Sequence, residues 1–145
     1  GCERRKDEQN MKVLIDTCVV IDLLQNRVPF SDDAKKIFYL IGDKKINGCI
    51  TANSCTDIYY ITRKALHDTE AAKDVMKKLF KLVTILDTTG KSCIDAIISD
   101  IKDYEDAVMV NTAMDNGIDC IITRNIRDYQ NISIPVCDSK DFRIN

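Results

Sequence analysis

The chain has 145 residues, an apolar share of 45%, a charged share of 30% and a net charge of −2. These values are typical of one globular domain, and a chain of this length buries roughly two-thirds of its unfolded surface, so it needs no staples to fold. No apolar run approaches the ~20 residues of a membrane-spanning helix, and the charge balance does not by itself indicate a nucleic-acid-binding protein.

The two ends of the chain and its cysteines bound the domain and its compartment. Residues 1–10 are charged and polar and are unlike a signal peptide, so we predict a flexible N-terminal extension or cloning remnant ahead of a native start at Met11, and a single domain over residues 11–145. The seven cysteines are odd in number and form no CxxC pair. Most lie in apolar segments, which predicts reduced core thiols in a cytoplasmic protein.

Apolar periodicity predicts strands and helices in alternation. Ser31 and Asp68 are candidate helix N-caps, Gly117 a candidate C′ residue, and Pro135 marks an edge strand. The order predicts an α/β three-layer sandwich, with a central mostly parallel sheet of four to five strands and helices on both faces. The predicted strands are 12–16, 49–51, 83–87, 118–123 and 133–137; the predicted helices are 17–25, 32–45, 53–66, 69–82, 91–99 and 104–116.

Four acids stand where a predicted strand ends or a helix begins: Asp16, Asp57, Asp106 and Asp128. The carboxyl ends of parallel strands meet at one edge, so these side chains should converge there. A cluster of acids repels itself and attracts a hard divalent cation, which makes metal-assisted hydrolysis the leading hypothesis.

Each acid also has an ordinary interpretation. Asp16 could serve only as an N-cap, Asp57 as a solvated helix acid, Asp106 as one of several acids that begin a helix, and Asp128 as part of a polar loop. Helical spacing favours Asp106 over Glu105 as the functional member of that pair.

Two other features bear on the site. Asp22, six residues after Asp16, is predicted to face solvent. Asn125 and the cations Arg124 and Arg127 lie beside Asp128, a combination that suits a substrate carrying phosphate.

Three segments together resemble a known family: LIDTCVVIDLL, DYEDAVMVNTAMDNGIDCIITRN and IRDY. They are similar to the PIN domain of VapC-like toxins, in the same order and over nearly all of residues 12–142. The resemblance implies an endoribonuclease that uses Mg²⁺ or Mn²⁺ and water to leave a 5′-phosphate and a 3′-hydroxyl. It also implies a homodimer and a small antitoxin partner.

The resemblance assigns roles residue by residue. Asp57 falls where the family usually has Glu, and its side chain is shorter by one methylene, about 1.5 Å of reach. The implied metal ligands are Asp16, Asp106, Asp128 and Asn125, with Asp57 as a further catalytic acid; the expected substrate contacts are Thr17, Thr123, Arg124 and Arg127.

Two alternative functions remain open. The shorter Asp57 and the acidic pI favour a catalytically weak or inactive PIN-like module that binds RNA or acts as a scaffold. Alternatively, Asp16 could act as the nucleophile of a phosphotransfer enzyme or phosphatase.

Two further segments have ordinary interpretations. The segment TTGKS (residues 88–92) lacks the first glycine of a P-loop and is interpreted as a helix-starting turn. The lysines of residues 73–81 form a basic helix face, either solvated or in contact with RNA or an acidic partner.

Overall fold

The computed structural model describes residues 10–144, which form five strands, six α-helices and one short 3₁₀ helix. The strands are β1 (Lys12–Ile15), β2 (Asn47–Thr51), β3 (Thr84–Leu86), β4 (Cys120–Ile122) and β5 (Val136–Cys137). The α-helices are α1 (Thr17–Leu24), α2 (Ser31–Gly42), α3 (Ala52–Leu66), α4 (Thr69–Leu82), α5 (Gly90–Ile97) and α6 (Tyr104–Asp115). The 3₁₀ helix (Ile126–Tyr129) lies between β4 and β5.

The sheet is entirely parallel, in the order β3-β2-β1-β4-β5. The chain adds strands outward from β1 to β3, then returns and adds β4 on the other side of β1. Open α/β sheets bind their ligands outside the carboxyl ends of the strands where the order reverses in this way. The backbone N–H of Asp16 donates to the carbonyl of Ile122 at 2.9 Å, so Asp16 leaves the sheet at this reversal point.

Side-chain alternation along the strands builds a separate core on each face of the sheet. Val13 and Ile15 of β1 pack with helices α1 to α4, whereas Leu14 packs on the opposite face with α6. Helix α5 packs in turn against α6 through Ala96. Because both faces are covered, the inner strands read as continuous apolar runs, and the predicted three-layer α/β architecture is confirmed.

Most local signals act as predicted. The carboxylate of Asp68 accepts a hydrogen bond from the backbone N–H of Ala71 at 3.1 Å and caps α4. Gly117 has φ +63° just after α6, a conformation that residues with side chains rarely adopt. β5, which begins just after Pro135, is an edge strand.

Two local predictions concern helix starts. Thr89 caps α5 by accepting from the backbone N–H of Ser92 at 3.1 Å, so TTGKS is a helix-starting turn as predicted. The prediction for Ser31 was wrong: α2 begins at Ser31, the N-cap position is Phe30, and that end has no side-chain cap.

The remaining expectations concern the ends of the chain, the thiols and membranes. Residues 1–9 of the predicted N-terminal extension lie outside the described residues, as does Cys2. The six described cysteines are free thiols. Between residues 10 and 144, no helix is both long and apolar enough to cross a membrane.

Candidate active site

Asp16 lies at the centre of the site and is 8% exposed. Its backbone is extended, and its Oδ1 accepts a hydrogen bond from the backbone N–H of Thr17 at 2.7 Å, which caps α1. Its Oδ2 accepts from the hydroxyl of Thr123, at the end of β4, also at 2.7 Å. Asp16 is therefore a helix cap and also a buried carboxylate fixed by donors on both oxygens.

Tyr129 connects Asp16 to Asp106. Its side chain is buried in the α6-side core, and its hydroxyl lies 3.2 Å from Asp16 Oδ2 and 3.0 Å from Asp106 Oδ1. A phenol carries one proton and can donate to one carboxylate at a time, so the two acids share a single donor. Burial and the two neighbouring carboxylates raise the pKa of Tyr129, which keeps the phenol protonated.

Asp106 lies in the first turn of α6, and its charge is held at a cost. Burial raises its pKa to about 6, and the negative charges of Asp103, Asp16 and Asp128 act in the same direction. The hydrogen bond from Tyr129 lowers the pKa and only partly offsets these effects. A cation beside Asp106 would relieve this stress.

Asp57 is half-buried on α3 and contacts Glu105 of α6. The two carboxyl groups are in hydrogen-bonding contact; this contact, followed by burial, raises the pKa of Glu105 to about 7. The expectation that Glu105 points away from the functional edge was therefore wrong. Glu105 and Asp106 both face other acids because the first turn of α6 ends at the carboxyl edge of the sheet.

Asp128 and Arg127 are exposed residues of the 3₁₀ helix, on the rim of a polar cleft of about 520 Å³. Asp106 lies on the opposite side of this cleft, and Lys102 contributes a second cation to its lining. The cleft therefore connects the buried acids to solvent and carries positive groups at its edge.

The predicted contact residues after β4 occupy different positions. The backbone N–H of Asn125 donates to the hydroxyl of Thr123 at 3.0 Å, and the Asn125 side chain is exposed near Cys18. Arg124 instead pairs with Asp22 through two hydrogen bonds, of 2.6 and 3.1 Å. The guanidinium also lies 3.9 Å from the centre of the Phe30 ring.

The prediction for Asp22 was wrong, because its side chain is fully buried against Arg124. A buried carboxylate requires a paired cation, and the only signal for one in the sequence was an acid within an otherwise apolar helical run. The pair connects α1 to the loop after β4, so it supports the segment that carries Thr123 and Asn125.

Thr51, at the carboxyl end of β2, was not singled out from the sequence. It is 1% exposed, and among the described residues its hydroxyl has no hydrogen-bond partner. The register that pairs Leu14 with Cys49 continues to place Thr51 beside Asp16. Strand alternation puts both side chains on the α6 face, so an unpaired hydroxyl lies at the site.

The sequence interpretation missed Glu105, Tyr129 and Thr51. Tyr129 is part of the quoted segment IRDY, but the direction of its hydroxyl depends on how the 3₁₀ helix folds back over the sheet. Thr51 could have been found as the residue that ends β2, in the way that Asp16 was found as the residue that ends β1.

The donors at this site are carboxylate, hydroxyl and amide oxygens, the ligands that Mg²⁺ and Mn²⁺ prefer, and the unpaired hydroxyl of Thr51 adds a polar atom in need of a partner. Within residues 10–144, no three His, Cys, Asp or Glu side chains are already grouped to hold a metal ion. The acids form two contacts instead: Asp16 with Asp106 through Tyr129, and Asp57 with Glu105. The donor chemistry thus fits a hard cation, whose binding would have to draw these groups together.

The fold and the site define an α/β domain with an acidic centre at the reversal point of a parallel sheet. The model of the PIN domain family matches residues 12–127, so the chain belongs to the PIN domain family. The family resemblance predicted from the sequence is thereby confirmed. A comparison with curated proteins finds no significant match.

Several solved structures share the fold. A toxin–antitoxin complex from Klebsiella pneumoniae has a chain that is 19% identical, with a TM-score of 0.66 over 88% of this chain and 97% of that one. VapBC2 from Rickettsia felis, bound to a DNA fragment from its promoter, has 13% identity and a TM-score of 0.67 over 88% and 98%. VapC20 from Mycobacterium tuberculosis, a toxin that cleaves the sarcin–ricin loop, has 15% identity and a TM-score of 0.58 over 75% and 86%.

Proposed function

We propose that the protein is a metal-dependent endoribonuclease that hydrolyses RNA phosphodiester bonds, and that it acts as the toxin of a toxin–antitoxin pair. One observation carries the proposal: acids from β1, α3 and α6 and from the 3₁₀ helix meet around the reversal point of the sheet. Membership of the PIN family and similarity to VapC structures support the same reading.

The proposed cation is Mg²⁺ or Mn²⁺, which would lower the pKa of a bound water and stabilise charge on the phosphoryl oxygens. Asp16, Asp106 and Asp128, with Asn125, would hold it, and Asp57 would complete the acidic centre. Thr17 and Thr123 would fix the Asp16 carboxylate through the hydrogen bonds described above.

Substrate binding is proposed for the cleft beside Asp106 and Asp128. Arg127 is exposed at its rim and is suited to contact a phosphate of the RNA. Arg124 is already paired with Asp22, so its proposed contribution to substrate binding is to hold the loop in place.

The proposed partners follow from related structures. Three of the similar structures are complexes of a toxin with its antitoxin. We infer that this chain is also held inactive by a small antitoxin and that it forms a homodimer.

The alternative is a PIN-like module that binds RNA or acts as a scaffold with little or no catalysis. It is favoured by the shorter Asp57 and by the lack of three grouped ligands among the described residues. A phosphotransfer role for Asp16 is less well supported, because both of its oxygens already accept strong hydrogen bonds.

RNA cleavage by the purified protein with Mn²⁺ tests the proposal. Asp16→Asn should abolish cleavage, since the amide lacks the charge that a hard cation requires. Asp74→Asn makes the same change at an exposed surface pair on α4 and should cleave like the parent chain. If the parent binds RNA but does not cleave it, the scaffold alternative is correct; if Asp16→Asn cleaves at the parental rate, the proposed site is wrong.

A further inference from the structure

Helix α6 presents two neighbouring acids to the site, and Glu105 is the one that meets Asp57. Asp57 extends from α3, whereas Glu105 extends from the opposite face of the sheet. Two carboxyl groups in direct contact must share either a proton or a cation, because two bare charges at this distance repel. The contact therefore marks a position where positive charge is needed.

The groups around this contact make the need stronger. Asp103 and Asp106 lie on the same turn as Glu105, and both add negative charge to it. None of the groups that shift the pKa of Glu105 is a cation. The positive end of the α6 dipole offers only partial compensation.

An independent observation comes from Thr51. Its buried hydroxyl is unpaired among the described residues, and the strand register places it beside Asp16 on the face that α6 covers. Buried hydroxyls are nearly always hydrogen-bonded, so an unpaired one at this edge indicates a water or ion that completes the site. A hydrated cation would satisfy it, since Mg²⁺ usually keeps several of its waters in protein sites.

We propose that Glu105 is a cation ligand in this chain and that, together with Asp57, it supplies the coordination that one longer side chain at position 57 would provide. The inference rests on the proposed function and deepens it by adding a ligand to the same site. It also explains how the domain can accommodate an aspartate at position 57: the missing methylene is compensated from α6.

Binding of Mn²⁺ alone, measured by calorimetry without RNA, tests the proposal. Glu105→Gln should weaken binding by about tenfold or more, the range seen when a group that supports a metal site is lost. Glu70→Gln is the matched control, because Glu70 is likewise exposed in the first turn of a helix but lies on α4. It should bind Mn²⁺ like the parent chain.

A second variant separates ligation from a general effect on folding. Asp57→Glu combined with Glu105→Gln should recover most of the lost affinity, because the longer side chain restores the reach; a merely structural role of Glu105 would give no rescue. Parental affinity in Glu105→Gln overturns the inference, and so does a loss that the double variant does not recover.

The two proposals fail in different ways. If Asp16→Asn loses Mn²⁺ binding while Glu105→Gln keeps it, the nuclease site stands and only the role of Glu105 is wrong. If the parent chain neither binds Mn²⁺ nor cleaves RNA, both are wrong.

Discussion

At the scale of single residues, the site depends on which hydrogen-bond donors reach which carboxylate. Asp16 has three donors, from Thr17, Thr123 and Tyr129, whereas Tyr129 is the side chain found to donate to the carboxylate of Asp106. Asp16 is therefore held firmly, and the position of Asp106 depends on one phenol. This difference predicts which acid responds to loss of the Tyr129 hydroxyl.

Tyr129→Phe should raise the pKa of Asp106 further above its present value of about 6, by roughly one unit, since a hydrogen bond to a charged group is worth about 1.5–3 kcal/mol. Protonated Asp106 is a poor cation ligand, so RNA cleavage should fall more at pH 6 than at pH 8. The measurement is the pH–rate profile, with Tyr39→Phe, an exposed tyrosine on α2, as control. An acid limb that does not move would show that the phenol has no such effect.

At the scale of secondary-structure elements, the bounds of helices and strands could be predicted from the sequence to within a few residues. Periodicity and caps are local: Asp68, Thr89 and Gly117 act on their own helix ends. The orientations of Asp22 and Glu105 could not be predicted, because each depends on a partner distant in sequence. Asp22 is paired with an arginine 102 residues away.

The same distinction holds for the candidate site. Asp16, Asp106 and Asp128 could be selected because strand ends and helix starts are visible in the sequence. Tyr129 and Thr51 could not be given roles, because their hydroxyls matter only through contacts made or missing across the sheet. Sequence reasoning therefore located the edge of the sheet but not the network along it.

The Asp22–Arg124 pair joins α1 to the loop after β4, and its two members should not be equivalent. Arg124→Ala leaves a fully buried bare carboxylate and should lower the free energy of unfolding by about 3 kcal/mol or more. Asp22→Ala leaves a guanidinium that still reaches solvent and should cost less.

Urea denaturation of the two single variants and the double variant tests this order. The double variant Asp22→Ala with Arg124→Ala should be more stable than Arg124→Ala alone, because it removes the bare charge. Simple addition of the two single effects would show that the pair does not act as a unit.

At the scale of the whole molecule, the acidic edge trades stability against readiness to bind a cation. The pKa of Asp106 is raised from 3.8 to about 6 and that of Glu105 from 4.5 to about 7, so the folded chain holds protons that the unfolded chain releases at lower pH. Where the folded state binds more protons, the free energy of unfolding falls as pH rises. For these two groups, the stabilisation is present below pH 4 and is lost through about pH 6 to 7.

The cation-free protein should therefore become less stable between pH 5 and pH 8, by about 1–3 kcal/mol from Asp106 alone, when unfolding is measured in urea with a chelator present. Mn²⁺ should reverse the trend at pH 8, where the acids are ionised, and stabilise by about 2.7 kcal/mol at a hundredfold excess over its Kd. At pH 5 protons compete for the same oxygens, so Mn²⁺ should have a much smaller effect. Equal stabilisation by Mn²⁺ at both pH values would place its binding away from these carboxylates.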